Sequence, residues 1–224
     1  MDVTCSSEGG STPLYGLPLS RIEKDGLRGE LERMEPFIWR DLCSESDSYN
    51  FLNWLRASGP GGYSPEFEVF LSQWIKDEQS HAASFVKLYS ELYHVPYDVI
   101  AQKLAERPVN FSQIAPFLED EFSICVLIAY DEIATVVSYQ LDVAFYDLLD
   151  KKIHGKLIRS IIKDEGRHFS SILEVIEKCH SERLGEIYSK LQKLLQWDIA
   201  KPEYQSTSVM DHSTFYFTPE ILAR

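Results

Sequence analysis

The hexapeptide K-D-E-x-x-H occurs twice in this chain and constrains its fold more than any other sequence feature. The first copy covers residues 76–81 and the second covers residues 163–168. A Glu and a His three residues apart lie on one face of an α-helix, where both side chains can reach the same ligand. The repeat therefore predicts two helices that each present a carboxylate and an imidazole to a shared site.

The repeat extends to a second acid in each half of the chain. Glu45 and Glu132 each precede the Glu of a hexapeptide by 33 residues. Ser48 and Thr135 follow these two acids at the same distance, which again matches the halves. Asp41, one helical turn before Glu45, is the alternative acid in the first half, because the polar stretch around Glu45 could interrupt a helix. We interpret the halves as two copies of one helical hairpin.

The chain is rich in helix-forming residues, and no segment has sustained strand alternation. About twenty residues separate the second long helical segment from the third, enough for the chain to run the length of a bundle. We predict an all-α four-helix bundle with a long crossover between helices 2 and 3, plus short extra helices. The predicted helices cover residues 38–57, 65–93, 97–106, 114–149, 153–180 and 183–196. The predicted domains are a flexible N-terminal arm at 1–26, the bundle at 27–196 and a C-terminal extension of unknown role at 197–224.

The composition excludes several classes of protein. The chain has 22 basic and 35 acidic residues and a net charge of −13, which argues against binding to nucleic acid. The four cysteines are far apart in sequence, so neither a disulfide framework nor a thiolate zinc site is expected. The longest apolar run, residues 122–130, is about half of a membrane span, and the N-terminus lacks the pattern of a signal peptide. We therefore expect a cytoplasmic protein without a membrane span.

Four carboxylates and two imidazoles on four helices match the dinuclear metal sites of ferritin-like bundles. Four acids balance the charge of two divalent ions, and buried carboxylates need such cations. The many oxygen ligands and few nitrogens favour iron, with manganese as an alternative, over structural zinc. The predicted ligands are Glu45, Glu78, His81, Glu132, Glu165 and His168.

Two further histidines also complete an E-x-x-H pattern, namely His94 and His180. At ~100° per residue, their Glu partners lie ~120–140° around the helix from Glu78 and Glu165. Both histidines also fall near predicted helix ends, where an imidazole complements the helix dipole. We expect neither of them to be a ligand of the metal pair.

Three blocks of the sequence resemble the soluble acyl-carrier-protein desaturases, which are ferritin-like di-iron enzymes. Residues 74–81 are similar to the family's W-x-x-E-E-N-R-H, residues 163–168 to its D-E-x-R-H, and residues 132–135 to its E-R-A-T. The resemblance covers about residues 40–180. It implies iron bound by the six predicted ligands, Thr135 beside the oxygen site, and Trp74 and Asp164 on the electron path.

The resemblance implies an O2-dependent oxidoreductase that abstracts hydrogen from an unactivated C–H bond, most simply to desaturate an acyl chain. The chain is shorter than those enzymes, so a shared di-iron core is a safer expectation than a shared substrate. A di-iron hydroxylase of a small natural-product intermediate is one alternative. A ferritin- or rubrerythrin-like protein that handles iron or peroxide is the other.

The expected partners are O2, an electron donor such as ferredoxin, an acyl or acyl-carrier-protein substrate, and a second copy of the chain in a homodimer. Five basic residues recur at helical spacing in the second half, predicted to face away from the metals. They form either a solvent-exposed face or a docking surface for an acidic partner. These residues are Lys152, Lys156, Arg159, Lys163 and Arg167.

Overall fold

The structure is a computed structural model and describes residues 26–200. Within that range the protein is all-helical, as predicted, and no described residue lies in a β-strand. Almost all of the predicted N-terminal arm and most of the predicted C-terminal extension lie outside the described residues. The α-helices of the described range are α1 (Arg28–Ser58), α2 (Pro65–Tyr93), α3 (Tyr97–Glu106), α4 (Glu121–Asp150), α5 (His154–Cys179) and α6 (Ile187–Ala200).

The four long helices form two closely packed pairs. Helix α1 packs mainly against α2, α4 packs mainly against α5, and the pairs meet where α2 packs against α5. Because only a few residues link the partners in each pair, the two helices of a pair run antiparallel. Ser64 starts α2 as the sequence predicts, since its side chain accepts a hydrogen bond from the backbone N of Phe67.

Two of the predicted helix boundaries are wrong. The first helix begins at Arg28 rather than near residue 38, and it continues through Pro36. A proline inside a helix removes one backbone hydrogen bond, but the buried Leu31, Met34 and Ile38 hold both sides of it in the core. The third long helix begins at Glu121 rather than near residue 114.

The start of α4 is determined by its N-cap. Asp120 accepts a hydrogen bond of 2.7 Å from the backbone N of Ser123, which satisfies an otherwise unpaired helical donor. The preceding residues form a separate 3₁₀ turn at Ala115–Phe117, which contains a proline. A second 3₁₀ segment, Ser181–Glu186, stands where the sequence predicts the start of the last helix.

The core consists of two apolar clusters, separated along the helices by a polar layer. One cluster includes Phe51 of α1 and Ile172 of α5, and the other includes Ile38 of α1 and Ile158 of α5. Between them, each long helix contributes buried charged residues. Burying carboxylates in mid-core is costly unless they have partners, so this layer marks the candidate site.

Among the described helices, α4 is long and apolar enough to cross a membrane by length and composition. In its most apolar window, however, 67% of the residues are buried inside the structure. A central helix of a packed core has this character because both of its sides contact other helices.

Candidate metal centre

The six predicted ligands meet in the polar layer. Each of them is at most 6% exposed, and together they form two groups of four whose potential ligand atoms lie within 4.8 Å of one another. One group contains Glu45 and His81, the other contains Glu132 and His168, and both contain Glu78 and Glu165. The arrangement is therefore two adjoining sites with two shared carboxylates.

His81 directs its Nδ1 atom at three carboxylates. This nitrogen lies 3.0 Å from Oε1 of Glu165, 3.5 Å from Oε2 of Glu45 and 4.0 Å from Oε1 of Glu78. Separations of this order fit atoms that ligate one ion between them, since metal–ligand bonds are close to 2 Å.

His168 repeats this geometry on the other side of the shared carboxylates. Its Nδ1 atom lies 3.1 Å from Oε2 of Glu165, 3.3 Å from Oε1 of Glu78 and 3.4 Å from Oε2 of Glu132. The two oxygens of Glu165 thus face different histidines. That position suits a carboxylate that bridges two ions.

Several of these atoms are buried without a hydrogen-bond partner. They are Glu45 Oε2, Glu78 Oε1, His81 Nδ1, Glu132 Oε2 and Glu165 Oε1. Leaving a buried polar group unpaired costs ~1–3 kcal/mol, and more for a charged group. All five point into the space between the carboxylates and histidines. The residues therefore fit bound metal ions, which would satisfy all of these atoms at once.

Burial and the charges inside the cluster raise the pKa values of several of its members. Burial, together with the neighbouring carboxylates, raises the pKa of Glu78 and of Glu132 well above the usual range. Burial alone would lower the pKa of His81, but the adjacent Glu165 and Glu45 carboxylates raise it to about 12. Binding of a metal ion at this imidazole would therefore compete with binding of a proton.

Comparisons of the chain with protein-family models, curated proteins and solved structures gave no match. What the site can do therefore follows from its own side chains. Buried Glu and His clusters of this composition can hold metal ions.

The Asp of each hexapeptide contacts the His of the other. Asp77 Oδ2 lies 3.2 Å from Nε2 of His168, and Asp164 Oδ2 lies 3.4 Å from Nε2 of His81. A carboxylate that accepts the Nε2 proton leaves Nδ1 free for a metal and fixes the ring orientation. Sequence reasoning assigned a role to Asp164 and missed Asp77, although the repeat contains both.

Arg167 links the two aspartates. Its guanidinium donates to Asp164 Oδ1 at 2.6 Å and to Asp77 Oδ2 at 2.8 Å. The Arg167 side chain is about half exposed, and the two aspartates lie between it and the histidines.

We expect that Asp77→Asn weakens metal binding beside His168, and that Asp164→Asn weakens it beside His81. Loss of this kind of supporting carboxylate typically costs ~10–100-fold in metal affinity. Anaerobic titration with Fe²⁺ measures the change, with Asp98→Asn on exposed α3 as the control. Unchanged affinity in both variants would mean that the aspartates do not orient the histidines.

Each carboxylate that belongs to only one group has an aromatic partner. Trp74 Nε1 donates a 2.8 Å hydrogen bond to Glu132 Oε1, and the buried hydroxyl of Tyr139 donates to Glu45 Oε1. These bonds leave the second oxygen of each carboxylate directed at a histidine. Trp74 thus lies next to the cluster, and Tyr139 lies seven residues after Glu132 on α4, which puts both side chains on the same face of that helix.

A small cavity of about 20 Å³ adjoins the carboxylates. Its walls include Thr135 and Ser44. Ser48, the residue that the repeat pairs with Thr135, instead donates to the backbone oxygen of Glu45. The cavity has room for about one water-sized molecule.

His94 and His180 lie at the ends of α2 and α5, as predicted. His94 caps α2 in a left-handed conformation with φ of 55°, and His180 lies 2.9 Å from Glu121. Neither belongs to the two carboxylate groups.

We therefore expect the His94→Gln, His180→Gln double variant to keep the iron bound by the cluster. Iron analysis and the optical spectrum after exposure to oxygen measure this, with His168→Gln as the disrupted comparison. Loss of the cluster's iron in the double variant would contradict the prediction that these two histidines face away from the cluster.

Proposed function

We propose that the chain is a ferritin-like di-iron protein that uses O2 in an oxidation reaction. The observation that carries this proposal is the pair of groups that share Glu78 and Glu165. It implies two ions, one beside His81 and one beside His168. The order of the helices, with α3 and a 3₁₀ turn between the two hairpins, supports the proposed crossover.

Iron fits the donor set best. Four carboxylates and two imidazoles are hard and borderline ligands, which suit Fe or Mn. When bound, two ferrous ions would supply electrons and a binding position for O2.

The protein's own residues would orient the ligands and keep the site dry. The aspartates fix the histidine rings, and Trp74 and Tyr139 fix the outer carboxylates. Two apolar clusters separate the layer from water along the bundle. Thr135 and Ser44 would contact a small molecule in the adjoining cavity.

Metal analysis of the protein reconstituted with Fe²⁺ tests the proposal. We expect about two equivalents of iron per chain, as the two groups imply. Oxygen uptake should depend on that iron. Wild-type protein that binds less than half an equivalent would overturn the di-iron assignment, and Mn²⁺ binding without oxygen uptake would favour a manganese site.

For the substrate, we propose an acyl chain, either free or attached to a carrier protein, as the resemblance to desaturases implies. The reaction would remove hydrogen from a C–H bond near the cavity. An acyl chain does not fit a cavity of about 20 Å³, since ordinary ligand pockets have ~300–1,000 Å³. The substrate must therefore approach along the seam lined by Ser44 and Thr135 and open it.

The same small cavity favours a second candidate, the oxidation of iron or the reduction of peroxide. Both reactions need only small molecules at the cluster. Incubation of the ferrous protein with O2 and acylated carrier protein separates the candidates. An acyl product with two hydrogens fewer supports the desaturase, and one with an added oxygen supports a hydroxylase. Repeated turnover of added Fe²⁺ or peroxide, without any change in the acyl chain, supports the second candidate.

An acidic electron donor such as ferredoxin would dock on α5. Lys156 and Lys163 on α5 are exposed, as is Lys152 in the turn before it. Arg159 and Arg167 form ion pairs with aspartates. Replacing the three lysines with Glu should slow reduction by a ferredoxin and reduce its salt dependence. An unchanged rate would reject this surface.

A further inference from the structure

We propose that Glu121, Cys125 and His180 bind a single additional metal ion of the Zn²⁺ class, at one end of the bundle. Each residue offers one ligand atom, and the three atoms lie within 4.8 Å of one another. Glu121 and Cys125 are one turn apart on α4, and His180 directly follows α5. The cysteines are too far apart in sequence to suggest a thiolate zinc site. The fold, however, brings His180 next to Cys125 from 55 residues away.

The three side chains are mostly buried, and hydrogen bonds fix the position of Glu121. Cys125 is fully buried, and the side chains of Glu121 and His180 are 11% and 17% exposed. Glu121 accepts hydrogen bonds from the backbone N and the hydroxyl of Ser64. Its Oε1 atom also lies 2.9 Å from Nε2 of His180, so two of the donors are already in contact.

The donor set differs in chemical class from the carboxylate cluster. One sulfur, one nitrogen and one oxygen suit zinc, which is commonly bound by Cys, His and Glu. A thiolate and a carboxylate together balance one divalent cation. Glu132 follows Cys125 by seven residues on α4, or ~10 Å, so this site would be separate from the metal pair.

The other cysteines of the described range do not offer the same arrangement. Cys179 directs its thiol at Glu66 Oε2, 3.7 Å away, and Cys43 is buried in α1. Cys125 is also a poor candidate for a nucleophile, since it has no exposure to solvent and reactive thiols need access.

A metal here would join three helix ends. It would connect the start of α4 to the end of α5, and through Ser64 to the start of α2. Ions that bind only the folded protein stabilise it. Zn²⁺ should therefore raise the melting temperature of the protein, and this effect should not need the carboxylate cluster.

Titration of metal-free protein with Co²⁺ tests the proposal, because Co²⁺ bound to a thiolate gives a charge-transfer band in the near ultraviolet. The carboxylate cluster contains no sulfur and cannot give this band. We expect the band in the wild type and in Glu165→Ala, with saturation at one thiolate-bound ion per chain. It should disappear in Cys125→Ser and persist in the matched control Cys43→Ser.

His180→Gln provides a second variant at a residue that is less buried than Cys125. We expect it to weaken the Co²⁺ binding that the charge-transfer band reports by at least about tenfold. The far-ultraviolet circular dichroism spectrum should stay unchanged. A band that survives Cys125→Ser, or its absence from wild-type protein at several equivalents of Co²⁺, would overturn the proposal. Either result would leave the di-iron assignment untouched, because iron content tests that separately.

Discussion

Replacing Glu165 with alanine is expected to reduce the iron bound by the cluster from about two equivalents to almost none. Glu165 lies between the histidines, with Oε1 3.0 Å from His81 Nδ1 and Oε2 3.1 Å from His168 Nδ1. Its removal takes one ligand from each proposed ion. It also leaves three carboxylates rather than four to balance the charge of two divalent ions. Iron analysis after anaerobic reconstitution measures the loss.

Glu174→Ala is the matched control for this prediction. Glu174 lies on the same helix, is exposed, and pairs only with Lys178 among the charged groups of the described range. We expect it to bind as much iron as the wild type. If Glu165→Ala also kept both ions while folding normally, the shared carboxylate would not be a bridge and the two-ion arrangement would be wrong.

The helical class and the six Glu and His residues of the polar layer could be predicted because both depend on local periodicity. A Glu and a His at helical spacing face the same way whatever the helix packs against. The 33-residue separations then related Glu45 to Glu132, and the structure brings both to one layer. The resemblance of the two halves thus carried more information than any single motif.

The contacts that the sequence did not reveal are those between distant helices. Asp77 meets His168 only because α2 and α5 pack side by side. Tyr139 meets Glu45 across the bundle, and Ser44 rather than Ser48 lines the cavity. Likewise, the start of the first helix depends on core packing on both sides of Pro36. Local propensity alone argues for a break at that proline.

The small cavity also limits how the site can work. The cavity beside Thr135 and the shared carboxylates holds about one water-sized molecule, so a longer substrate does not fit there unless the surrounding side chains move. Helices α1 and α4 meet there through side chains, including the Tyr139–Glu45 bond. A substrate that opens this seam would therefore displace the outer carboxylates Glu45 and Glu132, which both line the cavity.

Glu45→Ala is expected to remove the ion beside His81 and to leave the one beside His168. Glu45 belongs only to the group that contains His81, with Oε2 3.5 Å from its Nδ1 atom. The variant should retain about one equivalent of iron, since the other four-residue group is intact. Oxygen uptake that needs two irons should fall sharply. Iron analysis measures the equivalents that remain, and Mössbauer spectroscopy of the ⁵⁷Fe-loaded variant shows whether the iron occupies one site or two.

Two further variants make this prediction specific. Glu132→Ala should show the mirror-image loss, with the ion beside His168 missing and the ion beside His81 retained. Asp41→Ala should bind nearly as much iron as the wild type, because Asp41 lies about one turn, ~6 Å, before Glu45 along α1 and belongs to neither group. If Asp41→Ala lost an ion and Glu45→Ala did not, the repeat-based assignment of α1 would be wrong, while the five remaining ligands would still define the site.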